Sequence, residues 1–363
     1  MSSNSKIQFY HEYTVRKNTK FNAIKFYLID KTLSLFIKSH KITVRQPKKI
    51  LIIRNCKIGD MILTTSLFRE IKKNFPSSKL TVIASHSNYP IIEKNKNIDK
   101  IILLDFSWKK NPLKTLSNYM RVFKEIKKEN YDIGIEAGTM FINMFFMYFS
   151  KIKIRTGYFS FNGGRPFLTH PIEYKTEIHS SISELELVKK ALGIKINDYS
   201  QEIITDKNDV KELNNFLKKH DIKKFICIVP DASFEKKQWA LEKFDKLIKF
   251  LNKKYPLYKI IIVGSDDNKI SWLVKRNPSC ISLIKGNLRV NYLLFKKSSL
   301  VIAHDGAPMH LSWIADANLI ALIPKHMNLK HIGPSGQKSH VIYKEMKDIS
   351  VEDVEKEISK ILK

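Results

Sequence analysis

Three short stretches of this chain carry side chains that could do chemistry together. The first is Arg54-Asn55-Cys56-Lys57-Ile58-Gly59-Asp60, set between an apolar run and a helical one. Gly59 permits a tight turn, and a carboxylate at Asp60, held at a helix start, can take a proton from a hydroxyl. Asp is also a favoured helix cap, so the residue alone leaves base and cap open. The second stretch, Pro230 to Trp239, offers Ser233 and, four positions later, Lys237. A small hydroxyl and a mobile ammonium can grip phosphate oxygens, although lysine pairs such as Lys236-Lys237 recur along the chain as solvated faces. Trp239 reads as a packing residue. The third is His304-Asp305-Gly306-Ala307-Pro308-Met309-His310-Leu311. Gly306 and Ala307 leave backbone N–H groups open at a helix start, where a pyrophosphate can bind. His310 falls in the first turn, placed either to reach that anion or to be a buried capping histidine.

The elements that must position these loops follow from periodicity. Lys49 to Arg54 reads as a strand, and Met61 to Asn74 as a helix ending before Pro76. Leu80–Ala84, Ile101–Leu104 and Tyr131–Ile135 are further short apolar runs. The pattern restarts after a polar zone at 197–209. Phe225–Val229 is a strand, Leu241–Lys254 a helix, and Ile260–Val263 and Leu300–Ala303 are strands. A last helix is opened by Ser350, with Val351, Val354, Ile358, Ile361 and Leu362 on one side. Alternation of this kind predicts parallel sheets covered by helices, twice over. Each of the three loops then lies at the carboxyl end of a strand, where open α/β sheets bind ligands.

Composition narrows the class. The chain has 363 residues, 43% hydrophobic and 27% charged, as in folded two-domain proteins. Its net charge of +29 calls for an anionic partner, though many lysines read as ordinary helix surface. Residues 1–49 hold eleven Lys or Arg against Glu12 and Asp30. There, Phe21, Ile24, Leu28 and Leu35 fit one helical stripe beside Ile29, Leu33, Phe36 and Ile37. Such a helix either lies on a membrane surface or packs on its own protein. The apolar segment Met140–Phe149 is too short to span a bilayer. Its aromatics Phe141, Phe145, Phe146, Tyr148 and Phe149, followed by Lys151, Lys153 and Arg155, suit either lipid headgroups or a core. Cys56, Cys227 and Cys280 are too scattered for a disulfide framework or a zinc site, which fits a reducing cytosol, and no secretory signal is read at the N-terminus. No P-loop sequence occurs, and no dinucleotide fingerprint follows the first strand.

In this order and spacing the three loops resemble glycosyltransferase family 9, the bacterial heptosyltransferases of lipopolysaccharide core synthesis. The resemblance runs from about Lys49 to Gly336. The family's opening motif is similar to Ile50–Arg54, Gly59-Asp60, Leu63-Thr64-Thr65 and Phe75-Pro76. Tyr131 to Gly138 and the histidine-led segment His179 to Ile194 resemble two further blocks. Lys237-Gln238-Trp239 matches a K-x-W motif, and Asp305 to His310 resembles the family's DTGPMHLA. Gly306-Ala307 stands where the family has Thr-Gly, removing a hydroxyl, and Pro324-Lys325-His326 replaces its Gly-Pro-Thr.

The resemblance implies an α/β protein of GT-B architecture, two Rossmann-like domains facing across a cleft. A basic extension would occupy 1–48, an acceptor-binding domain 49–200, a nucleotide-sugar domain 201–340 and a C-terminal helix 341–363. It further implies inverting transfer of heptose from ADP-heptose to a Kdo/heptose–lipid A acceptor, with Asp60 as general base. Ser233, Lys237, Asp305, Gly306, Ala307 and His310 would hold the donor, and closure of the domains would complete the site. A lysine and a helix N-terminus suffice for the leaving diphosphate, so no metal or other cofactor is expected. The implied place is cytoplasmic, peripheral on the inner face of the inner membrane, with an anionic glycolipid as partner and no nucleic acid. Two other readings stay open at this level. One is a family member using a different nucleotide sugar. The other is a non-catalytic polyanion binder, whose binding would be salt-sensitive.

Overall fold

The computed structural model describes residues 19–37, 42–105, 112–159, 163–175, 177–232, 234–284 and 286–362, the side chains of 19–24 and Ile284 excepted. The chain divides into two compact units, Met1–Gln201 and Glu202–Lys363.

The first unit runs α1 (Thr19–Phe36), β1 (Lys49–Arg54), α2 (Ile58–Asn74), β2 (Lys79–Ala84), α3 (Tyr89–Ile92), β3 (Lys100–Leu103) and α4 (Pro112–Glu129). It continues through β4 (Ile133–Glu136), α5 (Phe141–Phe149), β5 (Ile154–Phe159), β6 (His170–Glu173) and α6 (Ser180–Leu192). The second opens with α7 (Lys207–Lys219), β7 (Phe225–Val229), α8 (Leu241–Lys254), β8 (Lys259–Gly264), α9 (Asp267–Arg276), β9 (Ile281–Ile284) and α10 (Leu288–Lys297). It closes with β10 (Leu300–His304), α11 (Ala307–Ile314), β11 (Leu319–Ile323), α12 (Leu329–Ile332), β12 (Ser339–Tyr343) and α13 (Val351–Ile361).

Both sheets are six-stranded and have the same order, β3-β2-β1-β4-β5-β6 and β9-β8-β7-β10-β11-β12. All neighbours run parallel, as between β1 and β2 and between β7 and β10. The cause is visible in the sequence. Ile50 to Ile53 and Ile226 to Val229 are unbroken apolar runs, and every one of those side chains is buried, as strands covered on both faces require. Where a chain winds outward from a central strand and then restarts on that strand's other side, the loops at the carboxyl ends diverge and leave a crevice. Here that happens between β1 and β4 and between β7 and β10.

The strands β5, β6, β9, β11 and β12 were not separable from their surroundings by pattern. Arg155 and Gly157 interrupt β5, and β11 is a five-residue apolar run whose periodicity suits a buried helix equally well. The last helix is as expected. Ser350 Oγ accepts from Asp353 N–H (3.1 Å) and Asp353 Oδ2 from Ser350 N–H (2.9 Å), a reciprocal cap. Val351, Val354 and Ile358 are buried in the same core as the second sheet, against α8, β11 and β12.

Helix α1 packs on the first unit through one stripe. Leu33 and Ile37 join the core beneath α4 and α5, the Phe26 ring lies 5.6 Å from that of Phe141, and the Asp30 carboxylate accepts N–H bonds from Gly164 (2.8 Å) and Arg165 (3.2 Å). Leu28 and Leu35 of the expected stripe point outward, and the side chains of Phe21 and Ile24 lie outside the described residues. On α5, Phe146 is buried, Phe141, Phe145 and Tyr148 are half-buried around Phe167, and Phe149 is exposed. Arg155 is no headgroup contact: it is buried, and its Nε donates to Phe167 O (2.6 Å).

Candidate active site

In the first unit the crevice between β1 and β4 is lined by a polar network. Arg54, the last residue of β1, is its centre. Its Nε donates to Thr64 Oγ1 (2.9 Å), one Nη to Ala137 O, and the other to Glu184 Oε1 (2.7 Å) and, more weakly, to Asp60 O (3.5 Å). One planar guanidinium thus ties the end of β1 to the start of α2, the loop after β4 and helix α6. Burial opposes its charge, but the acidic groups around it, Glu184, Asp60 and Glu136, keep it above the ordinary guanidinium range. Glu136 closes β4. Its carboxylate accepts from Gly138 N–H (3.1 Å), Met140 N–H (3.4 Å) and Asn143 Nδ2 (2.8 Å). Burial pushes Glu136 up to about 7, and Glu184, despite Arg54, to about 7 as well. Asn88 Nδ2 donates to Arg54 O (3.1 Å) and Cys56 O (2.9 Å), so the loop before α2 is held from the β2 side too.

Asp60 stands on this rigid platform. It lies in the first turn of α2, whose N-cap is Lys57, and its carboxylate caps nothing. The side chain is exposed and makes no hydrogen bond or ion pair among the described residues. A carboxylate beside a helix N-terminus, near a buried guanidinium and open to solvent, can receive a proton from a bound hydroxyl. The cap alternative is thereby removed.

In the second unit the crevice between β7 and β10 gathers the other candidates. Lys237 Nζ forms an ion pair and hydrogen bond with Asp305 Oδ2, with side-chain exposures of 14% and 5%. The ammonium also lies 5.9 Å from the Phe234 ring centroid. Gly306 is the N-cap of α11, no side chain among the described residues caps that helix, and Ala307 begins it. His310 is buried in its first turn. Ser233 lies outside the described residues. Trp239 is fully buried, its Nε1–H donating to Ile349 O (2.9 Å), which is the packing role expected of it.

Residues that sequence reasoning passed over support these groups. His304 Nε2 accepts from Trp239 N–H (2.9 Å), so the proton sits on Nδ1, which faces Asp231 O (3.1 Å). Burial lowers His304 to about 4, keeping it a neutral strut between β10 and the loop that carries Lys237. Asp231 accepts from Ser265 Oγ (3.1 Å) and Asp266 N–H (3.2 Å), fastening the ends of β7 and β8 together. A Cβ at Gly264 would stand 2.6 Å from that carboxylate, which explains the glycine. Arg54 and Glu136 were visible in the motifs quoted above, but Glu184 is 130 positions from its partner Arg54, and no spacing rule connects them.

Comparison with known proteins gives the family and the fold. The sequence profile of glycosyltransferase family 9 (heptosyltransferase) matches residues 119–359, a stretch that includes Lys237 and Asp305–His310 but not Asp60. Lipopolysaccharide heptosyltransferase 3 of Escherichia coli is 22% identical over 277 residues, 73% of this chain and 80% of that one. The fold is shared with a family 9 glycosyl transferase of Veillonella parvula, with a TM-score of 0.75 at 21% identity over 88% of this chain and 98% of the other. It is shared likewise with the E. coli heptosyltransferase WaaC solved with ADP, with a TM-score of 0.69 at 16% identity over 86% and 99%. Two Rossmann-like units in one chain are the GT-B fold class, and with the profile match spanning more than half the sequence, the chain belongs to glycosyltransferase family 9.

Proposed function

We propose that this glycosyltransferase moves a heptose from ADP-heptose onto a lipopolysaccharide core acceptor by an inverting displacement. Asp60 takes the proton of the acceptor hydroxyl as it attacks the anomeric carbon, and the bond to the diphosphate breaks. The observation that carries the reading is Asp60 itself, a carboxylate exposed and without a side-chain partner among the described residues, on a hydrogen-bonded platform at the β1/β4 crevice. At the other crevice Lys237 and the start of α11 meet the charge that builds on the departing ADP, with Ser233, Asp305, Gly306, Ala307 and His310 contributing to the donor pocket. Before donor arrives, Asp305 already balances Lys237. The diphosphate therefore has to share that ammonium with Asp305, and donor affinity rests on the difference between the two interactions. The ADP seen with the E. coli relative supports a nucleotide of that kind.

Because the acceptor in this reading is a lipid carrying phosphates and sugar acids, the enzyme works at the cytoplasmic face of the inner membrane as a peripheral protein. No helix among the described residues is long and apolar enough to cross a membrane. A second reading, a donor other than ADP-heptose, is favoured by Gly306-Ala307, which lacks the hydroxyl of the Thr-Gly pair the family places there. One assay decides. Purified protein is offered ADP-heptose and several UDP- and GDP-sugars with Kdo-lipid A or its heptosylated form. Heptose transfer that is lost in Asp60→Ala with ADP binding intact is the expected result. Transfer by Asp60→Ala at wild-type rate would remove the base, and use of another nucleotide sugar would replace the donor.

A further inference from the structure

Exposed apolar side chains are distributed unevenly over the described residues. Of thirteen large hydrophobic side chains that are exposed, eight sit on three helices of the first unit, α1, α4 and α5. These helices share one core cluster against the sheet. Helices α2, α3 and α6 of the same unit contribute none. Scattered exposed leucines are ordinary, but a concentration on one layer is not.

The spacing rules out chance filling of a helix surface. On α1 the inward stripe is Phe26, Asp30, Leu33 and Ile37, yet Leu28 and Leu35, one heptad apart, form a second stripe with Tyr27 and Phe36 beside it, 56% to 81% exposed. On α4 the inward stripe is Thr115, Tyr119, Val122 and Ile126, while Leu113, Leu116 and Met120, at i, i+3 and i+7, form an outward one. Helix α5 lies in contact with both, through Phe26–Phe141 and Tyr119–Phe146, and exposes Phe149 at its end. A helix with one wet face needs only one apolar stripe. Two helices with two stripes each, on the same layer, have a second apolar neighbour to meet.

The charges beside these stripes say what that neighbour is. Lys25 and Lys31 on α1, Lys124 and Lys127 on α4, and Lys151 after α5 are all exposed. The acidic side chains of these helices are engaged elsewhere: Asp30 with the backbone at Gly164, Glu125 with Lys100, and Glu129 with Lys49 and Lys100. Apolar rows bordered by lysine alone complement a surface that is greasy inside and negative at its rim. We propose that α1, α4 and α5 form a single docking face that lies on an anionic lipid bilayer, with Leu28, Leu35, Leu113 and Met120 below the headgroups and the lysines among the phosphates. This deepens the reading that the acceptor is lipid-borne, naming the face that brings the first unit to it.

The test is flotation of the full chain with vesicles of phosphatidylethanolamine and phosphatidylglycerol that contain no acceptor glycolipid, alongside vesicles of phosphatidylcholine alone. Wild type is expected to float with the anionic vesicles and to be released by salt. L28S/L35S and L113S/M120S should each lower the bound fraction at least about fivefold, and the quadruple variant should abolish flotation, since every lost side chain is apolar area withdrawn from lipid. All should keep wild-type ADP affinity and wild-type transfer to a deacylated, water-soluble acceptor. Flotation of the quadruple variant at wild-type level would overturn the proposal. So would flotation of wild type only when acceptor glycolipid is present, or sedimentation showing that these substitutions dissociate a dimer while vesicle binding is unchanged. If no nucleotide sugar is ever used but flotation follows the prediction, the catalytic reading fails and the docking face stands.

Discussion

Among the described residues the Asp60 carboxylate makes no hydrogen bond and caps no helix, so its replacement by Asn should act on turnover alone. Loss of a general base of this kind lowers kcat by roughly 10²- to 10⁴-fold, and the melting temperature should stay at the wild-type value. Lys237 differs, because it is tied to buried Asp305. Lys237→Met leaves that carboxylate without its partner, which typically destabilises by about 3–5 kcal/mol. It should therefore lower both the melting temperature and the ADP affinity. Adding Asp305→Asn should restore most of the stability without restoring ADP binding, a combination that differential scanning calorimetry and titration calorimetry can separate. Glu136 tests the platform. Its folded-state pKa is raised by burial from 4.5 to about 7, so the folded chain holds that proton more tightly than the unfolded one. Its contribution to stability is full below about pH 4.5 and is lost as pH rises through 7. Glu136→Gln cannot ionise. Its melting temperature relative to wild type should rise between pH 5 and pH 8, and a flat difference would count against the burial argument.

At the scale of elements, the loops are precise because the helices and strands behind them are fixed from several sides. Arg54 ties β1 to α2, to the loop after β4 and to α6, and neutral His304 braces β10 against the loop after β7. His304 is held well below the ordinary histidine range, so its contribution is full above about pH 6.5 and is lost as pH falls towards 4. Helix α13 offers a cleaner measurement. Ser350 and Asp353 cap it reciprocally, and Ser350→Ala should cost about 1 kcal/mol in denaturant unfolding. A smaller loss in Ser350→Gly would confirm that the cap, not side-chain packing, is responsible.

For the whole molecule, the second unit has its own complete sheet and a core that runs from α8 and α9 to α13. Residues 202–363 expressed alone should melt cooperatively and bind ADP with an affinity within a few-fold of the full chain, since each of the described donor-pocket candidates lies inside them. The net charge of +29 belongs to this scale as well. It is spread over both units, but among the described residues only the α1, α4 and α5 layer sets it beside exposed apolar rows. Charge alone therefore singles out no face, and the proposed docking face rests on charge beside outward-facing leucines.

What the amino-acid order determined by itself was local. Unbroken apolar runs bounded by turn residues specify buried parallel strands, and β1, β7, α8 and α13 lie where periodicity put them. The Gly59-Asp60 and Asp305–His310 stretches were legible because small and acidic residues at a strand end are unusual and sit within a few positions of each other. What only the tertiary structure decided depends on residues distant in the chain. That Asp60 is no cap, that Arg54 is neutralised by Glu184, that Lys237 waits on Asp305, and that α1 turns Leu28 and Leu35 outward are all set by partners brought close by sheet order. A side chain's environment is a sum over neighbours in space, and a linear pattern encodes only those neighbours that the local backbone geometry already supplies.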